Sequence, residues 1–314
     1  MDDLTGLLDG PRARGAFLLR GLMQPPWSIR ILDEAPLTLI AIVRGDAWIT
    51  TDDGESVHLE PGDVAVARGP DPYTIADTPS RPPDVVVHPG QECRSLDGEP
   101  LEETMRLGVR TWGNDAEGST VMLIGTYESM GDVSQSLLRS LPALLTLDHE
   151  QWDCPLIALL GDEMTKDEPG QTAVLDRLLD LLLIAALRTW FARDEAETPG
   201  WYRAQSDPVV GLVLRIMHNN PDQPWTIEML AAQAGVSRAG LARRFHELVG
   251  EPPMTYLTER RLSLAADLLR DPDATVTSVA HRVGYSSPFA LSTAFKRRRG
   301  ITPTEHRALA ATAS

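Results

Sequence analysis

Two cysteines in 314 residues leave no disulfide framework and no multi-cysteine zinc module, and no C-x-x-C pair is present. A reducing cytosol is the default compartment for such a chain. Long apolar runs are missing too. The N-terminal MDDLTGLLDGPRARGAF places acidic residues before basic ones and lacks the apolar core of a signal peptide, while the longest apolar stretch, Leu178 to Leu187, is broken by Asp180 and too short for a bilayer. A cytoplasmic chain with no membrane partner is expected. The motifs G-x-S-x-G and G-x-x-x-x-G-K-[ST] are absent, so common hydrolase and nucleotide-binding readings lack support. Basic residues are also scarce: 29 Lys and Arg stand against 45 Asp and Glu, a net charge of −16 that at first argues against nucleic acid.

What is present is globular, with 42% apolar and 24% charged residues and a length that suggests two domains at about 150 residues each. The charge divides unevenly between them. From Pro208 onward there are 13 basic and nine acidic residues, or +4, whereas residues 1–207 hold 16 and 36, or −20. Opposite halves of this kind point to one part meeting a polyanion while the other has a separate task; chance drift of surface charge is the plainer alternative.

In the acidic half, LTLIAIVRG, DAWITTDDG, ESVHLEPGD and VAVARG from Leu37 onward are β-rich runs closed by Gly, Pro or Asp, the pattern of an antiparallel sandwich or small barrel. Pro36 to Tyr73 resembles a cupin domain, with Leu59-Glu60-Pro61-Gly62-Asp63-Val64 similar to that fold's turn-and-strand element. Metal-binding cupins carry a His pair and a Glu on an early strand, whereas Leu39 to Gly45 has no His, which argues against a metal-dependent cupin enzyme. His58, His88, Cys93, His149 and Cys154 are scattered polar candidates. His88 and Cys93 flank a Pro-Gly turn, so three readings of Cys93 stay open: a buried apolar thiol, an oxidant sensor whose thiolate a neighbouring imidazolium favours, or a metal ligand. Cys154 begins an apolar run and reads as core.

After Gly118 the pattern reads as helical. Thr172 to Arg193 shows an apolar stripe of Leu175, Leu178, Leu179, Leu182, Ala186 and Trp190, with Thr172 as its expected cap. Leu181, Leu183 and Ile184 lie off the stripe, which fits either a core helix or one that also packs on a partner subunit. Polar Glu195 to Gly200 marks a linker, giving a sensor and dimerisation domain at 1–194, a linker at 195–207 and a third segment at 208–309.

The basic half repeats itself with a displacement of 49 to 50 residues: Ala231 with Ala280, Gly235 with Gly284, Leu241 with Leu291, Phe245 with Phe295, Gly250 with Gly300, Pro253 with Pro303. In each copy a short helix (227–234; 276–283) ends at a Gly, a serine restarts the chain, and a second helix (238–248; 288–298) follows. Pro288 stands where a first-turn Pro is tolerated. This is the helix-turn-helix pattern, whose second helix enters the major groove. Between the copies, Pro253 to Arg270 forms an amphipathic helix that can hold the units apart through Tyr256, Leu257, Leu262, Ala265, Leu268 and Leu269.

Residues 208–309 resemble the DNA-binding domain of AraC/XylS-type transcriptional regulators. The resemblance is carried by Gly250-x-x-Pro253-x-x-Tyr256, Arg261-Leu262-x-x-Ala265-x-x-Leu268-Leu269, Val279-Ala280-x-x-Val283-Gly284-Tyr285-x-Ser287, Phe295-Lys296 and Gly300-x-x-Pro303. The whole chain resembles the branch with a cupin-like sensor. An α+β two-domain protein is implied: an N-terminal cupin-like β-barrel plus helices, and a C-terminal all-α domain with two helix-turn-helix units. Its partners would be duplex operator DNA, an unidentified effector (a small molecule, metal or oxidant), RNA polymerase and a second copy of the chain, with no catalysis and no cofactor.

In that family pattern Ala239, Ala242 and Arg243 face the groove from the first helix, with Ser237, Arg238 and Arg244 beside them. Arg243 is the foremost candidate for bidentate contact with a guanine edge. In the second copy Ser287, Pro288, Phe289 and Thr293 take these places, and Thr293 stands where many relatives carry Arg, which shifts the expected readout toward thymine methyls. Lys296, Arg297, Arg298 and Arg299 are expected phosphate contacts. Two such helices would read groove segments about 34 Å apart. A constitutive architectural DNA binder, insensitive to any ligand, is the remaining competitor.

Overall fold

The computed structural model describes residues 17–127, 138, 141–150, 152, 154–193, 204–271 and 273–312. The chain divides into two units, one holding 17–127 and 141–193 and the other holding the described residues from 204 onward.

The first unit is β-rich. A seven-stranded sheet runs in the order β10 (Arg106–Gly108), β11 (Thr111–Gly113), β1 (Phe17–Met23), β12 (Thr120–Tyr127), β3 (Leu37–Arg44), β6 (Val64–Arg68) and β13 (Leu144–Leu147). A six-stranded sheet has the order β5 (Ser56–Leu59), β4 (Ala47–Thr51), β7 (Tyr73–Ala76), β2 (Ser28–Ile31), β8 (Val85–His88) and β9 (Glu92–Ser95). Ile40, Ile42, Met122, Ile49, Ile75 and Val87, drawn from both sheets, share one buried core. The four runs expected from Leu37 onward form β3 to β6. The cupin-type turn is set by Asp63: its carboxylate accepts from Glu60 N (2.8 Å) and from His149 N and Nδ1 (2.7 and 2.9 Å), while Gly62 turns with φ +94°.

The expected turn to helix after Gly118 is corrected. Thr120–Tyr127 is the strand between β1 and β3, paired antiparallel with both. Seven of its eight residues are buried, so it shows none of the alternation by which a half-exposed strand is read. Two helices follow, α1 (Leu156–Met164) and α2 (Gln171–Phe191). Gly125 lets α2 lie against the sheet, since a Cβ there would run into Leu179 Cδ1. Thr172 does not cap α2: Gly170 does, in the left-handed region at φ +85°, and the Thr172 hydroxyl instead accepts from Arg110 Nη2 at 2.7 Å. Of the off-stripe residues Leu183 is buried and Leu181 is half exposed.

The second unit is all helical: α3 (Val210–Asn219), α4 (Ile227–Gln233), α5 (Arg238–Val249), α6 (Pro253–Leu268), α7 (Val276–Arg282), α8 (Pro288–Arg299) and α9 (Pro303–Thr312). It has two cores. Leu214, Leu230, Leu241, Phe245 and Leu257 build the first, and Leu262, Ala265, Val279, Leu291 and Phe295 the second. α6 contributes to both, as its sequence pattern required. Arg261 adds a buckle, donating from Nε to Pro221 O (2.7 Å) and from Nη2 to Gln223 O (2.6 Å).

The linker expected at 195–207 is shortened from its end. Ala204 is fully buried in the first helical core, and Asp207 accepts from Val209 N and Val210 N at 2.9 Å to start α3. Residues 194–203, and with them Glu195 to Gly200, lie outside the described residues.

Candidate nucleic-acid interface

Each helix-turn-helix unit is assembled by the same local chemistry. Thr226 and Thr275 cap the first helices by accepting from Met229 N (3.2 Å) and Ser278 N (3.0 Å). Gly235 and Gly284 then take φ of +67° and +81°, which allows Val236 N to reach back to Ala231 O (3.0 Å) and Tyr285 N to Ala280 O (2.8 Å). Ser237 and Ser287 cap the second helices, accepting from Gly240 N (3.1 Å) and Ala290 N (3.2 Å). The repeat in sequence is thus a repeat in hydrogen bonding.

With Leu241 and Phe245 buried on one side of α5, the opposite side presents Ala239, Ala242, Arg243 and His246. In α8, burial of Leu291, Ala294 and Phe295 leaves Phe289, Thr293, Lys296 and Arg297 outward. Phe289 is 80% exposed, an unusual state for a large apolar side chain. Ser287 and Pro288 are half-buried at the start of α8, in capping and first-turn roles.

The basic side chains do not form one uniform set. Arg244 is tied to Asp207 by Nε (2.9 Å) and Nη2 (2.6 Å), so it braces α5 against the start of α3. Arg299 is half-buried and donates to Ser263 Oγ at 2.9 Å, and Arg298 pairs with Glu259 at 2.9 Å. These three, expected at DNA, are engaged within the protein. Arg238 pairs with Glu228 at 2.9 Å in the open, and Arg243 lies 3.9 Å from Glu247 with its side chain 79% exposed. Such surface pairs are weak and exchange readily for a better anion. Arg238, Arg243, Lys296 and Arg297 therefore remain outward cations of the two helices. The i,i+4 spacing of Arg243 and Glu247 was visible in the sequence, whereas the partners Asp207, Glu228 and Glu259 come from other elements.

In the β-rich unit the scattered candidates stay apart. β8 and β9 pair with Val87 opposite Cys93 and His88 opposite Glu92, so His88 and Cys93 belong to opposite faces of the hairpin. Of the three readings of Cys93, the one in which the His88 imidazole activates the thiol does not fit this register. Burial, with the Glu102 carboxylate beside it, pushes the Cys93 thiol up to about 11. His58 stacks on Trp48 (centroids 4.7 Å apart) and bonds to Asp46 at 2.8 Å, and His149 is held by Asp63, which raises its pKa. Among the described residues no group of three or more His, Cys, Asp or Glu side chains is arranged to hold a metal. Cys154 is partly buried.

Sequence reasoning missed a cavity of about 480 Å³ inside the barrel. Its walls include Leu19, Ile29, Ile40, Ile75, Val87 and Ile124, with Thr38, Tyr73, Cys93, Trp112 and Thr126 among them and Asp33, Gln91, Glu102, Glu103 and Arg106 at its exposed end. These residues come from β1, β2, β3, β7, β8, β9, β10, β11 and β12 and from loops, a convergence no linear spacing announces.

A β-rich unit enclosing a cavity, together with a basic unit presenting two capped helix-turn-helix faces, defines a two-domain DNA-binding regulator. Residues 2–192 match the family model described as cupin, and residues 230–308 match one described as a helix-turn-helix domain. The chain is 32% identical to a putative AraC-like transcription regulator of Streptomyces lividans over 98% of its own length and 97% of that protein's. With a protein of the same description from Streptomyces antibioticus the identity is 31%, again over 98% and 97%. The crystal structure of the DNA-binding domain of AdpA in complex with a target DNA is 38% identical over 33% of this chain and 93% of that one, with a TM-score of 0.31. The chain belongs to the AraC-type transcriptional regulators that carry an N-terminal cupin domain, and it is a DNA-binding transcriptional regulator. Among the described residues no helix is long and apolar enough to cross a membrane.

Proposed function

We propose that the protein is a cytoplasmic, homodimeric regulator that reads an operator with α5 and α8 and responds to a small molecule held in the barrel. The observation that carries this reading is the pair of in-register, identically capped second helices, whose outward faces differ: Ala239, Ala242 and Arg243 on one, Phe289 and Thr293 on the other. Arg243 contacts a base edge. Phe289 and Thr293 offer apolar contact to thymine methyls, and Lys296 and Arg297 contact phosphate, which positions the helix without reading sequence. Half-exposed Val174 and Leu181, seven residues apart on α2, support a second copy of the chain as partner. We assign the barrel, not a thiol, to sensing, because burial keeps the Cys93 thiol protonated at neutral pH and Cys93 lines the cavity wall. RNA polymerase is the partner through which bound operator is converted into transcription.

Footprinting upstream of its own and neighbouring genes, with and without candidate effectors, tests the whole reading. Protection that no small molecule alters would instead indicate the constitutive architectural binder. Arg243→Ala should lower affinity for the footprinted operator by ~1–3 kcal/mol while non-specific binding is held. An equal loss on every sequence would remove its base-reading role.

A further inference from the structure

The barrel cavity has a charge pattern beyond its size. Asp33 and Glu102 lie at its exposed end, and both are fixed in place by neutral donors: Asp33 accepts from Gln91 Nε2 (3.0 Å) and Ala35 N (3.1 Å), and Glu102 accepts from Cys93 N (3.2 Å). Among the described residues no ion pair engages either carboxylate. Neither cation of the same lining pairs with these carboxylates among the described residues. Arg110 is directed to α2, donating to Gln171 Oε1 (2.9 Å) and Thr172 Oγ1 (2.7 Å), and Arg106 is exposed. The negative field reaches the interior, since Asp33 contributes to raising the Tyr73 hydroxyl and Glu102 the Cys93 thiol, each after the larger effect of burial.

Aromatic rings share this lining. Phe17, Tyr73 and Trp112 contribute to it, and Trp112 is only 8% exposed, with an indole N–H that has no acceptor within the described residues. Carboxylates outside any ion pair, in a lining that also holds aromatic rings, suit an organic ammonium group, and an aliphatic interior takes the chain or ring system attached to it. A carboxylate ligand would meet Asp33 and Glu102 as like charges. A neutral hydrocarbon would leave both uncompensated, without gain from them.

We propose that the cavity binds an amphiphilic organic cation, an amine or quaternary ammonium with an apolar body, its charge beside Asp33 and Glu102 and its body among Ile29, Ile40 and Ile75. This assignment rests on the reading of the barrel as the effector site.

The test uses the full-length protein and three probes of equal chain length, octyltrimethylammonium, octanoate and octanol, titrated calorimetrically below their aggregation concentrations, with operator binding followed in parallel. The cation should bind about tenfold more tightly than either of the others, and Asp33→Asn with Glu102→Gln should erase that preference while leaving octanol binding in place. Asp97→Asn, an exposed carboxylate outside the cavity, should leave it unchanged. If the paired variant does not fold, Glu102→Gln alone should reduce the preference, because Glu102 is exposed and its loss opens no core. Equal binding of all three probes, or tighter octanoate, overturns the cation assignment and leaves the effector site standing. Absence of binding by every probe overturns both. Cation-selective binding without any effect on operator occupancy supports the site and removes its regulatory role.

Discussion

Cys93 shows how neighbouring walls decide a side chain's chemistry. In sequence it stands five residues from His88 across a Pro-Gly turn, and a thiolate stabilised by imidazolium was one open reading. In the fold, antiparallel pairing puts His88 opposite Glu92, and the thiol meets apolar walls and the Glu102 carboxylate. Raising an acid's pKa keeps it protonated, so the thiol loses nucleophilicity at neutral pH and gains it only as pH approaches about 11. Iodoacetamide labelling of Cys93 at pH 7.5, followed by peptide mass spectrometry, should run about a hundredfold more slowly than for an ordinary exposed thiol. Labelling at the exposed-thiol rate would contradict the buried placement. Arg243 and Arg244 make the same point with adjacent residues. Their identical chemistry and similar family placement made both candidates for DNA, yet the carboxylate of Asp207 claims one of them. Nothing in the local sequence around α5 names that partner, because Asp207 belongs to a segment that read as linker.

At the scale of elements, Asp207 and Arg244 join α3 to α5. The Asp207 carboxylate starts α3 through the Val209 and Val210 amides and receives two guanidinium bonds. Burial alone would raise its pKa, but the Arg244 and backbone hydrogen bonds outweigh that and lower it. A carboxylate with a lowered folded pKa contributes stability that is complete above its unfolded value of about 3.9 and is lost as pH falls through the folded one. Asp207→Ala should cost ~1–2 kcal/mol at pH 7, and the difference from wild type should shrink below about pH 4 in urea titrations at successive pH values. A difference constant with pH would remove the charge from this account. Arg244→Ala should cost less, ~0.5–1 kcal/mol, since its head is partly solvated, and should leave operator discrimination close to wild type. A loss of discrimination like that of Arg243→Ala would return Arg244 to the DNA face. The capped turns of both helix-turn-helix units were legible because Thr, Ser and Gly act within a few residues of one another. β12 was not, since a strand buried on both faces carries no period of two.

For the whole molecule, −16 is the sum of an acidic unit and a basic one. Engagement of Arg298 and Arg299 within the protein narrows the proposed phosphate-contacting set of α8 to Lys296 and Arg297. Replacing both by Ala should reduce the slope of log affinity against log salt by about 2, whereas replacing Arg298 and Arg299 should change it less. The reverse ranking, measured by fluorescence anisotropy at several salt concentrations, would move the phosphate contacts to the end of the helix. The amino-acid sequence by itself determined the division into two units, the doubled helix-turn-helix with its caps and turns, and the shared helix α6. Those features rest on interactions between residues near in the chain or on a repeat that can be slid against itself. The tertiary structure decided which arginines are outward, that His88 and Cys93 face apart, and that nine strands line a cavity with two carboxylates outside any ion pair among the described residues. The arginines and the cavity depend on partners tens of residues away and the hairpin on which residues pair across it, and neither a distant carboxylate nor strand register leaves a mark on the local pattern of the chain.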